Sequence, residues 1–230
     1  MEKLDHHKIS HGIPKAELHI HIEGTLEPEL VVKLSKKHNL NSTPSLDELK
    51  QKYKFTCLKD FLDLYYECCN CLIDDSDFEE LMYEYLKKAS SQGLVYAEIF
   101  FDPQTHTKRG VSFKTVVEGL TKGIMKANKE FNVEANLIMC FLRDLSEQDA
   151  IDTFKESLAF KKHFIAVGLD SNEFNNPPEK FKNVFKMAKK EGLHLVAHAG
   201  EECSISTSYI SSALDVLNVE RIDHGIQIVK

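Results

Sequence analysis

The sequence lacks an excess of basic residues, which would indicate a nucleic-acid or anionic-lipid partner. It also lacks a long apolar run, which would indicate a membrane span. It has 29 lysines and arginines against 36 aspartates and glutamates, a formal charge of -7 at pH 7. Proteins that bind nucleic acids or anionic lipids instead carry clustered positive charge. No stretch approaches the roughly 18 apolar residues that span a bilayer, and residues 1–14 are too polar for a signal-peptide core. We therefore expect a cytoplasmic protein that binds a small molecule and neither nucleic acid nor a membrane.

The sequence also lacks the cysteine spacing of a disulfide framework or a zinc finger. Six cysteines are scattered along 230 residues, and without export signals we expect them to be thiols. Cys68 and Cys71 form a C-x-x-C inside an amphipathic helix pattern, so we interpret them as structural residues. Phosphoryl and acyl transfer are disfavoured, because neither a phosphate-binding glycine loop nor a serine nucleophile elbow is found.

Short apolar runs typical of strands alternate with amphipathic helix patterns, which predicts an α/β fold with a parallel sheet. The six predicted strands cover residues 16–23, 95–101, 134–141, 164–171, 194–200 and 221–224. Residues 41–94 carry helical patterns and suit an insertion that covers a site. A (β/α)8 barrel of the TIM type needs eight strands. We therefore expect a single barrel domain over residues 1–230, with about six of its eight strands.

Capping residues indicate where several helices begin. Ser146 with Asp149, and Ser76 with Glu79, resemble capping boxes, in which the two side chains satisfy each other's backbone N–H groups. Pro178 suits the first turn of a helix, because proline needs no N–H partner there. We therefore expect a helix to begin close after each of these signals.

The first strand carries a pair of histidines. His19 and His21 are two residues apart, so their side chains project from the same face of a strand. Two imidazoles at the C-terminal end of a barrel strand form a natural metal clamp. An exposed edge strand would tolerate the same H-x-H spacing, and the spacing alone leaves both interpretations open.

A second histidine motif, His-Ala-Gly-Glu, follows another apolar run. His198 lies at the end of this predicted strand, where a third imidazole would complete the three-ligand pattern of catalytic zinc. Glu201 follows a glycine and can reach a substrate atom beside the metal as general acid or base. His194 lies at the opposite end of the strand, and we expect it to be structural.

A third motif, Arg-Ile-Asp-His-Gly, places His224 at the end of the last predicted strand. A hydrogen-bonded loop histidine would explain this residue taken singly. Three histidine motifs at three strand ends favour a shared site at the mouth of the barrel.

Together, these stretches resemble the motifs of the adenosine and adenine deaminase family of metal-dependent hydrolases. Residues 14–24 (PKAELHIHIEG) are similar to the opening motif of the family, and residues 198–201 (HAGE) are similar to its second motif. Residues 221–225 (RIDHG) look like the third motif, and residues 97–106 (AEIFFDPQTH) also look typical of the family.

The resemblance implies a zinc site and assigns roles to five residues. His19, His21 and His198 would bind one Zn²⁺ ion per chain. Glu201 would donate a proton to the purine ring, and His224 would position or deprotonate the zinc-bound water. The implied reaction is hydroxide attack at C6 of adenine and loss of ammonia, which gives hypoxanthine. The implied role is purine salvage.

Residues 21–28 and 168–178 (GLDSNEFNNPP) resemble the adenine deaminase branch in particular. By this resemblance, Asp170, Ser171 and Glu173 would bind the purine. The bulkier side chains of this stretch would exclude the ribose that the adenosine branch accommodates. Adenine is therefore the expected substrate.

One part of the family's site has no counterpart in the sequence. The family continues through two further strands that bear an adjacent pair of aspartates, one a metal ligand and one a substrate contact. Asp223 is not expected to replace them, because it alternates away from His224 on its strand. We therefore expect a C-terminally truncated barrel with unpaired sheet edges, which favour aggregation. This chain is expected to be poorly soluble and weakly active.

Three alternatives stay open at this point. An adenosine deaminase or an N6-modified adenine deaminase would use the same metal and the same acid. A truncated, non-catalytic remnant would bind zinc or a partner without turnover. Another metal-dependent amidohydrolase, related to lactonases or dihydroorotases, would share the H-x-H strand but use a different ligand set, which the His-Ala-Gly-Glu motif disfavours.

Overall fold

The computed structural model describes residues 12–40, 45–55, 58–202 and 207–228. These residues form one six-stranded sheet in which the order of the strands follows the chain. The strands are β1 (Lys15–His21), β2 (Leu94–Phe101), β3 (Glu134–Leu142), β4 (Phe164–Asp170), β5 (His194–Ala199) and β6 (Arg221–His224). Parallel strands separated by helices are the pattern of a TIM-type (β/α)8 barrel, here with six of its eight strands. The predicted fold class is confirmed, and every strand lies within two residues of its predicted bounds.

Helices connect the strands, as the apolar periodicity predicted. The α-helices are α1 (Pro28–Lys37), α2 (Leu46–Lys52), α3 (Leu58–Cys69), α4 (Asp75–Ser90), α5 (Pro103–Thr107), α6 (Phe113–Phe131), α7 (Glu147–Ser157), α8 (Lys182–Lys190) and α9 (Ser208–Asp215). Short 3₁₀ helices cover Glu23–Thr25, Leu158–His163 and Pro178–Phe181. Among the helices in these residue ranges, none is long and apolar enough to cross a membrane.

The capping signal at Ser146 is confirmed. Ser146 precedes α7, and its Oγ accepts the backbone N–H of Asp149 at 3.1 Å, while the Asp149 carboxylate accepts the backbone N–H of Ser146 at 3.2 Å. Pro178 also begins a helix, but the first four residues are a 3₁₀ turn that leads into α8. Sequence signals for the first turn therefore locate a helix start more reliably than they distinguish a 3₁₀ turn from an α-turn.

The chain divides into two compact units. The first unit comprises residues up to 99 together with 115–136, and the second comprises residues 100–114 and 137 onward. In the sequence, α2, α3 and α4 lie between β1 and β2, in the stretch expected to be a helical insertion. That residues 1–230 act as a single domain with an insertion at 41–94 stays a prediction.

In the first unit, the predicted start of α4 is wrong. Ser76 and Glu79 do not form its capping box, because the helix begins at residue 75. Asp77 makes the cap instead, and its Oδ2 accepts the backbone N–H groups of Ile73 at 2.9 Å and of Asp74 at 2.8 Å. The cap therefore lies at Asp74, two residues before the predicted Ser76.

Asp77 also joins α4 to the end of α1. Its carboxylate lies 2.6 Å from Lys37 Nζ and 2.8 Å from His38 Nε2, and its side chain is fully buried. Burial alone would raise the pKa of Asp77, but the bonds from Lys37, the two backbone amides and His38 outweigh it and lower the pKa. Asp77 is therefore an ionised structural carboxylate.

Replacing Asp77 with asparagine is expected to destabilise the protein by about 1.5 kcal/mol, because hydrogen bonds to a buried charge are lost. The lowered pKa in the folded state means that this stabilisation is present above the ordinary value of 3.8 and is lost as the pH falls below it. Thermal denaturation between pH 3 and pH 7 measures the difference. Asp75→Asn is the control, because the Asp75 side chain is 47% exposed and pairs with Lys122 at the surface. Equal losses from both variants would contradict the structural role of Asp77.

In the second unit, parallel strands pack around an apolar core. β3 pairs with β4, β4 with β5, and β5 with β6. The core cluster consists of Phe100, Ile138, Cys140, Ala166 and Val196. Gly168 faces Cys140 across β3 and β4, and a Cβ at Gly168 would lie only 2.6 Å from Cys140 Sγ.

Four cysteines are buried free thiols, as expected from the sequence: Cys68, Cys69, Cys71 and Cys140. Cys57 and Cys203 lie outside the described residues.

Candidate active site

The first unit contributes the H-x-H strand. His19 and His21 lie on β1 with ring centroids 5.7 Å apart and ring planes at 58°. This proximity is expected of two side chains on the same face of a strand. β1 is also an end strand in the sheet order, so the structure of this unit does not choose between a metal clamp and an edge-strand pair. Their metal role stays a prediction.

A cavity of about 630 Å³ lies in the first unit, lined by residues of β1, α1, α4 and the segment that follows β1. Glu17 lines it, and its Oε2 accepts the hydroxyl of Tyr85 at 2.6 Å. Neither His19 nor His21 is among its lining residues. The cavity is therefore distinct from the histidine pair.

The second unit carries the second histidine motif at the end of β5. His198 is 4% exposed, and its ring centroid lies 5.1 Å from that of Phe100. The C-terminal ends of barrel strands open onto the active site, so His198 has the expected position. His194, at the start of the strand, has a side chain that is 66% exposed, and its Nδ1 lies 2.7 Å from Glu220 Oε2. This surface contact agrees with the structural role expected for His194.

Asp223 and His224 both lie close to His198. Asp223 is opposite His198 in the register of β5 and β6, and its Oδ2 lies 4.0 Å from His198 Nδ1. The ring centroid of His224 lies 5.1 Å from that of His198. The expectation that Asp223 and His224 diverge by strand alternation is wrong. His224 has a φ of 74°, so extended strand geometry ends there and alternation no longer applies.

Glu201 lies on a tight turn that follows β5. Gly200 has a φ of 68°, a left-handed conformation that favours glycine, and a Cβ at this position would also displace the end of the Ile210 side chain, 2.7 Å away. The turn directs Glu201 toward the third motif, where its Oε2 lies 3.5 Å from His224 Nε2. The second and third motifs of the sequence thus meet in one unit.

The electrostatics of this pair suit acid–base chemistry. Burial and, to a smaller extent, the charges of Glu173 and Glu202 raise the pKa of the Glu201 carboxyl to about 7, against the opposing charge of Arg143. Burial also lowers the pKa of His224, against a smaller opposite effect of Glu173. Near neutral pH, a carboxyl that is protonated in an appreciable fraction of molecules therefore lies beside a neutral imidazole. Such a pair can both donate and accept a proton.

The three predicted substrate contacts lie at and after the end of β4. Asp170 ends the strand and is 2% exposed. Ser171 follows with a φ of 71°, a left-handed conformation that is uncommon for serine and concentrated at functional sites. Glu173 is 1% exposed, and its carboxylate accepts backbone N–H groups of residues 200–202. The contacts of these three residues with substrate stay predictions.

Asp102 is a further acidic residue of the second unit that the sequence analysis did not single out. It directly follows β2, is 2% exposed, and places a carboxylate oxygen within 4.8 Å of one from Asp170. Two buried carboxylates this close favour a bound cation or a shared proton. The signal was available, because Asp102 is a polar residue at the C-terminal end of an apolar strand, as His198 is.

Comparisons with known proteins agree with this arrangement. The family model described as adenosine deaminase matches residues 14–230. An adenine deaminase from Geotalea uraniireducens is 51% identical over 223 residues, which cover 96% of this chain. The crystal structure of an adenine deaminase from Arthrobacter aurescens matches 94% of this chain with a TM-score of 0.90 and 44% identity. An amidohydrolase from Burkholderia ambifaria with bound Zn matches 97% of it with a TM-score of 0.88 and 25% identity.

The same comparisons show how much of each relative is represented. This chain spans 62% of the length of the Geotalea protein, 66% of the Arthrobacter structure and 62% of the Burkholderia structure. The family match nevertheless includes all three histidine motifs and all six strands, since it extends from residue 14 to residue 230. The chain therefore belongs to the adenosine deaminase family.

Proposed function

We propose that the protein hydrolyses adenine to hypoxanthine and ammonia. The observation that carries the proposal is the environment of Glu201, a partly buried carboxyl with a pKa of about 7 that lies 3.5 Å from the His224 imidazole. The relatives from Geotalea and Arthrobacter, named adenine deaminases, support adenine as the substrate. Recycling of a free purine base corresponds to purine salvage, which we place in the cytoplasm.

Imidazole side chains are suitable donors for a metal ion, and we infer that the ion is Zn²⁺. The family resemblance assigns His19 and His21 of the first unit and His198 of the second as ligands, and neutral imidazole is a preferred ligand of zinc. Within the second unit, Asp223 Oδ2 lies 4.0 Å from His198 Nδ1, close to where a carboxylate would orient a ligating imidazole. Bound zinc lowers the pKa of a water molecule and so makes it nucleophilic near neutral pH.

The side chains of the second unit supply the proton transfers. Protonated Glu201 donates a proton to a ring nitrogen of adenine as water adds at C6, which makes the ring a better electron acceptor. Neutral His224 accepts a hydrogen bond from the attacking water and holds it in place. Asp170 and Ser171 orient the purine at the end of β4. The amino group at C6 takes up the proton released by the attacking water and departs as ammonia, while the C6 hydroxyl returns its proton to Glu201, which leaves hypoxanthine.

Ammonia release from adenine and from adenosine, measured on the purified chain with added Zn²⁺, tests the proposal. We expect slow turnover of adenine that exceeds turnover of adenosine by about 100-fold, the discrimination that a fitted pocket typically achieves. A chelator should abolish the turnover, and excess Zn²⁺ should restore it. Faster release from adenosine would identify an adenosine deaminase instead. Zinc binding without ammonia release from either purine would contradict the proposed function.

A further inference from the structure

We propose that Arg143 and Glu173 are positioning residues that together hold the turn carrying Glu201 against the end of β5. The pair lies wholly within the second unit, and neither residue belongs to the three histidine motifs. The stabilisation of the turn by this pair does not depend on the reaction, whereas the expected effect of the pair on turnover rests on the proposed function.

Glu173 organises the turn through its carboxylate. Oε1 accepts the backbone N–H of Gly200 at 2.7 Å, and Oε2 accepts those of Glu201 at 3.0 Å and Glu202 at 3.3 Å. Three successive N–H groups converge on one buried side chain, and only a group that accepts at both oxygens satisfies them. A carboxylate meets this requirement, whereas an amide would direct an NH₂ group at part of the same cluster.

Arg143 ties the same segment to the neighbouring strands. Its Nη1 donates to the carbonyl oxygen of His198 at 2.8 Å, and its Nε donates to the carbonyl oxygen of Asn176 at 2.9 Å. Its backbone N–H donates to the carbonyl oxygen of Asp170 at 3.0 Å. The fork of the guanidinium serves two carbonyl groups at once, which the single ammonium of a lysine cannot reproduce.

The two side chains are oppositely charged and buried together. Arg143 is fully buried, Glu173 is 1% exposed, and Arg143 Nη1 lies 3.8 Å from Glu173 Oε1. A buried charge is retained only where a partner and hydrogen bonds compensate its lost hydration. Here the compensating groups are the backbone of His198 and of the turn that follows it. The pair therefore fixes the main chain on both sides of Gly200.

This geometry favours positioning over direct contact of Glu173 with the purine, the role that the family resemblance implied. Both carboxylate oxygens already accept backbone N–H groups, and almost none of the residue is accessible. A purine contact would contribute to substrate affinity and therefore to KM. A positioning residue that acts through Glu201 would instead contribute to kcat. Its loss would leave the substrate bound but the acid Glu201 misplaced.

Hydrogen exchange of the backbone amides of residues 200–202, measured for the Zn²⁺-loaded chain and its Glu173→Gln variant, tests the proposal. We expect exchange at Gly200 and Glu201 to accelerate about tenfold or more. In the variant their N–H groups no longer donate to a carboxylate, so the turn opens more readily. Arg143→Lys should accelerate exchange at the same amides and provides a second test if Glu173→Gln does not fold. Glu191→Gln is the matched control, because Glu191 has a side chain that is 43% exposed and pairs with Lys161.

Kinetics with adenine provide a readout that a merely structural role would not produce. Glu173→Gln is expected to lower kcat about 100-fold, the cost of misplacing a reacting group by about 1 Å, with KM nearly unchanged. Glu173→Asp keeps the charge and should restore part of the loss. Unchanged exchange at residues 200–202, or a rise in KM at constant kcat, would overturn the proposal. Absence of adenine turnover in the unmodified chain would refute the proposed function, and the exchange experiment would still decide the positioning role.

Discussion

Replacing Glu201 with glutamine is expected to reduce kcat/KM for adenine by about 1,000-fold, within the range that general acid–base groups contribute. Glutamine has nearly the same shape and can still form hydrogen bonds, but it cannot donate a proton to the purine ring and recover it. Steady-state ammonia release by the two proteins, each loaded with Zn²⁺ to the same stoichiometry, measures the ratio.

The matched control for Glu201→Gln is Glu202→Gln. Glu202 is the next residue, carries the same charge and contributes to the raised pKa of Glu201 only through space. Its replacement should therefore leave kcat/KM within about threefold of the unmodified protein, because no proton passes through it. A loss in Glu202→Gln equal to that in Glu201→Gln would refute the assignment of Glu201 as the acid.

The raised pKa of Glu201 also predicts how activity and stability depend on pH. Because the acid form is required, the rate should fall as the pH rises through about 7. In the unfolded chain this carboxyl ionises near its ordinary value of 4.5, so between these two values the folded state binds more protons. Stability contributed by this group therefore decreases as the pH rises across that window. Glu201→Gln should flatten this decrease and raise Tm at pH 8 relative to the unmodified protein.

The features predicted correctly from the sequence are those that depend on local periodicity. Alternation of side chains in a strand brings His19 and His21 together, and a buried apolar run followed by a polar residue locates His198 at the end of β5. Both inferences require only the geometry of one strand. They are correct because the place of a residue along its parallel strand determines whether that residue lies at the mouth of the barrel.

The features that the sequence analysis missed depend on contacts between distant segments. The proximity of Asp223 to His198 follows from the register of β5 and β6 and from the left-handed backbone at His224. The pairing of Arg143 with Glu173 joins the end of β3 to the loop after β4. No spacing rule predicts either contact, because each is set by tertiary packing and not by the period of one element. Functional strand ends are also where local rules most often fail.

Gly119 and Gly123 of α6 set how closely that helix packs against α4. Of the substitutions considered, Gly119→Ala is expected to cause the largest loss of stability. A Cβ at Gly119 would lie 2.7 Å from Phe78 Cβ and still closer to the carbonyl oxygen of Asp75. Alanine gains about 1 kcal/mol in helix propensity, but forcing an extra methyl group into packed atoms costs about 3 kcal/mol when the obstacle is backbone. The net loss of about 2 kcal/mol should lower Tm by about 4–8 °C for a chain of this size.

The neighbouring positions of α6 separate a steric effect from a general effect of substitution. Met125→Ala should change stability by less than about 0.5 kcal/mol, because Met125 is 67% exposed. Gly123→Ala should resemble Gly119→Ala, since its Cβ would lie 2.7 Å from both Glu79 O and Met82 Cβ. The double variant should lose less than the sum of the two single losses, because the first methyl group already moves the helices apart. Full additivity in thermal denaturation would mean that each glycine acts locally and that close approach of α4 and α6 is not the cause.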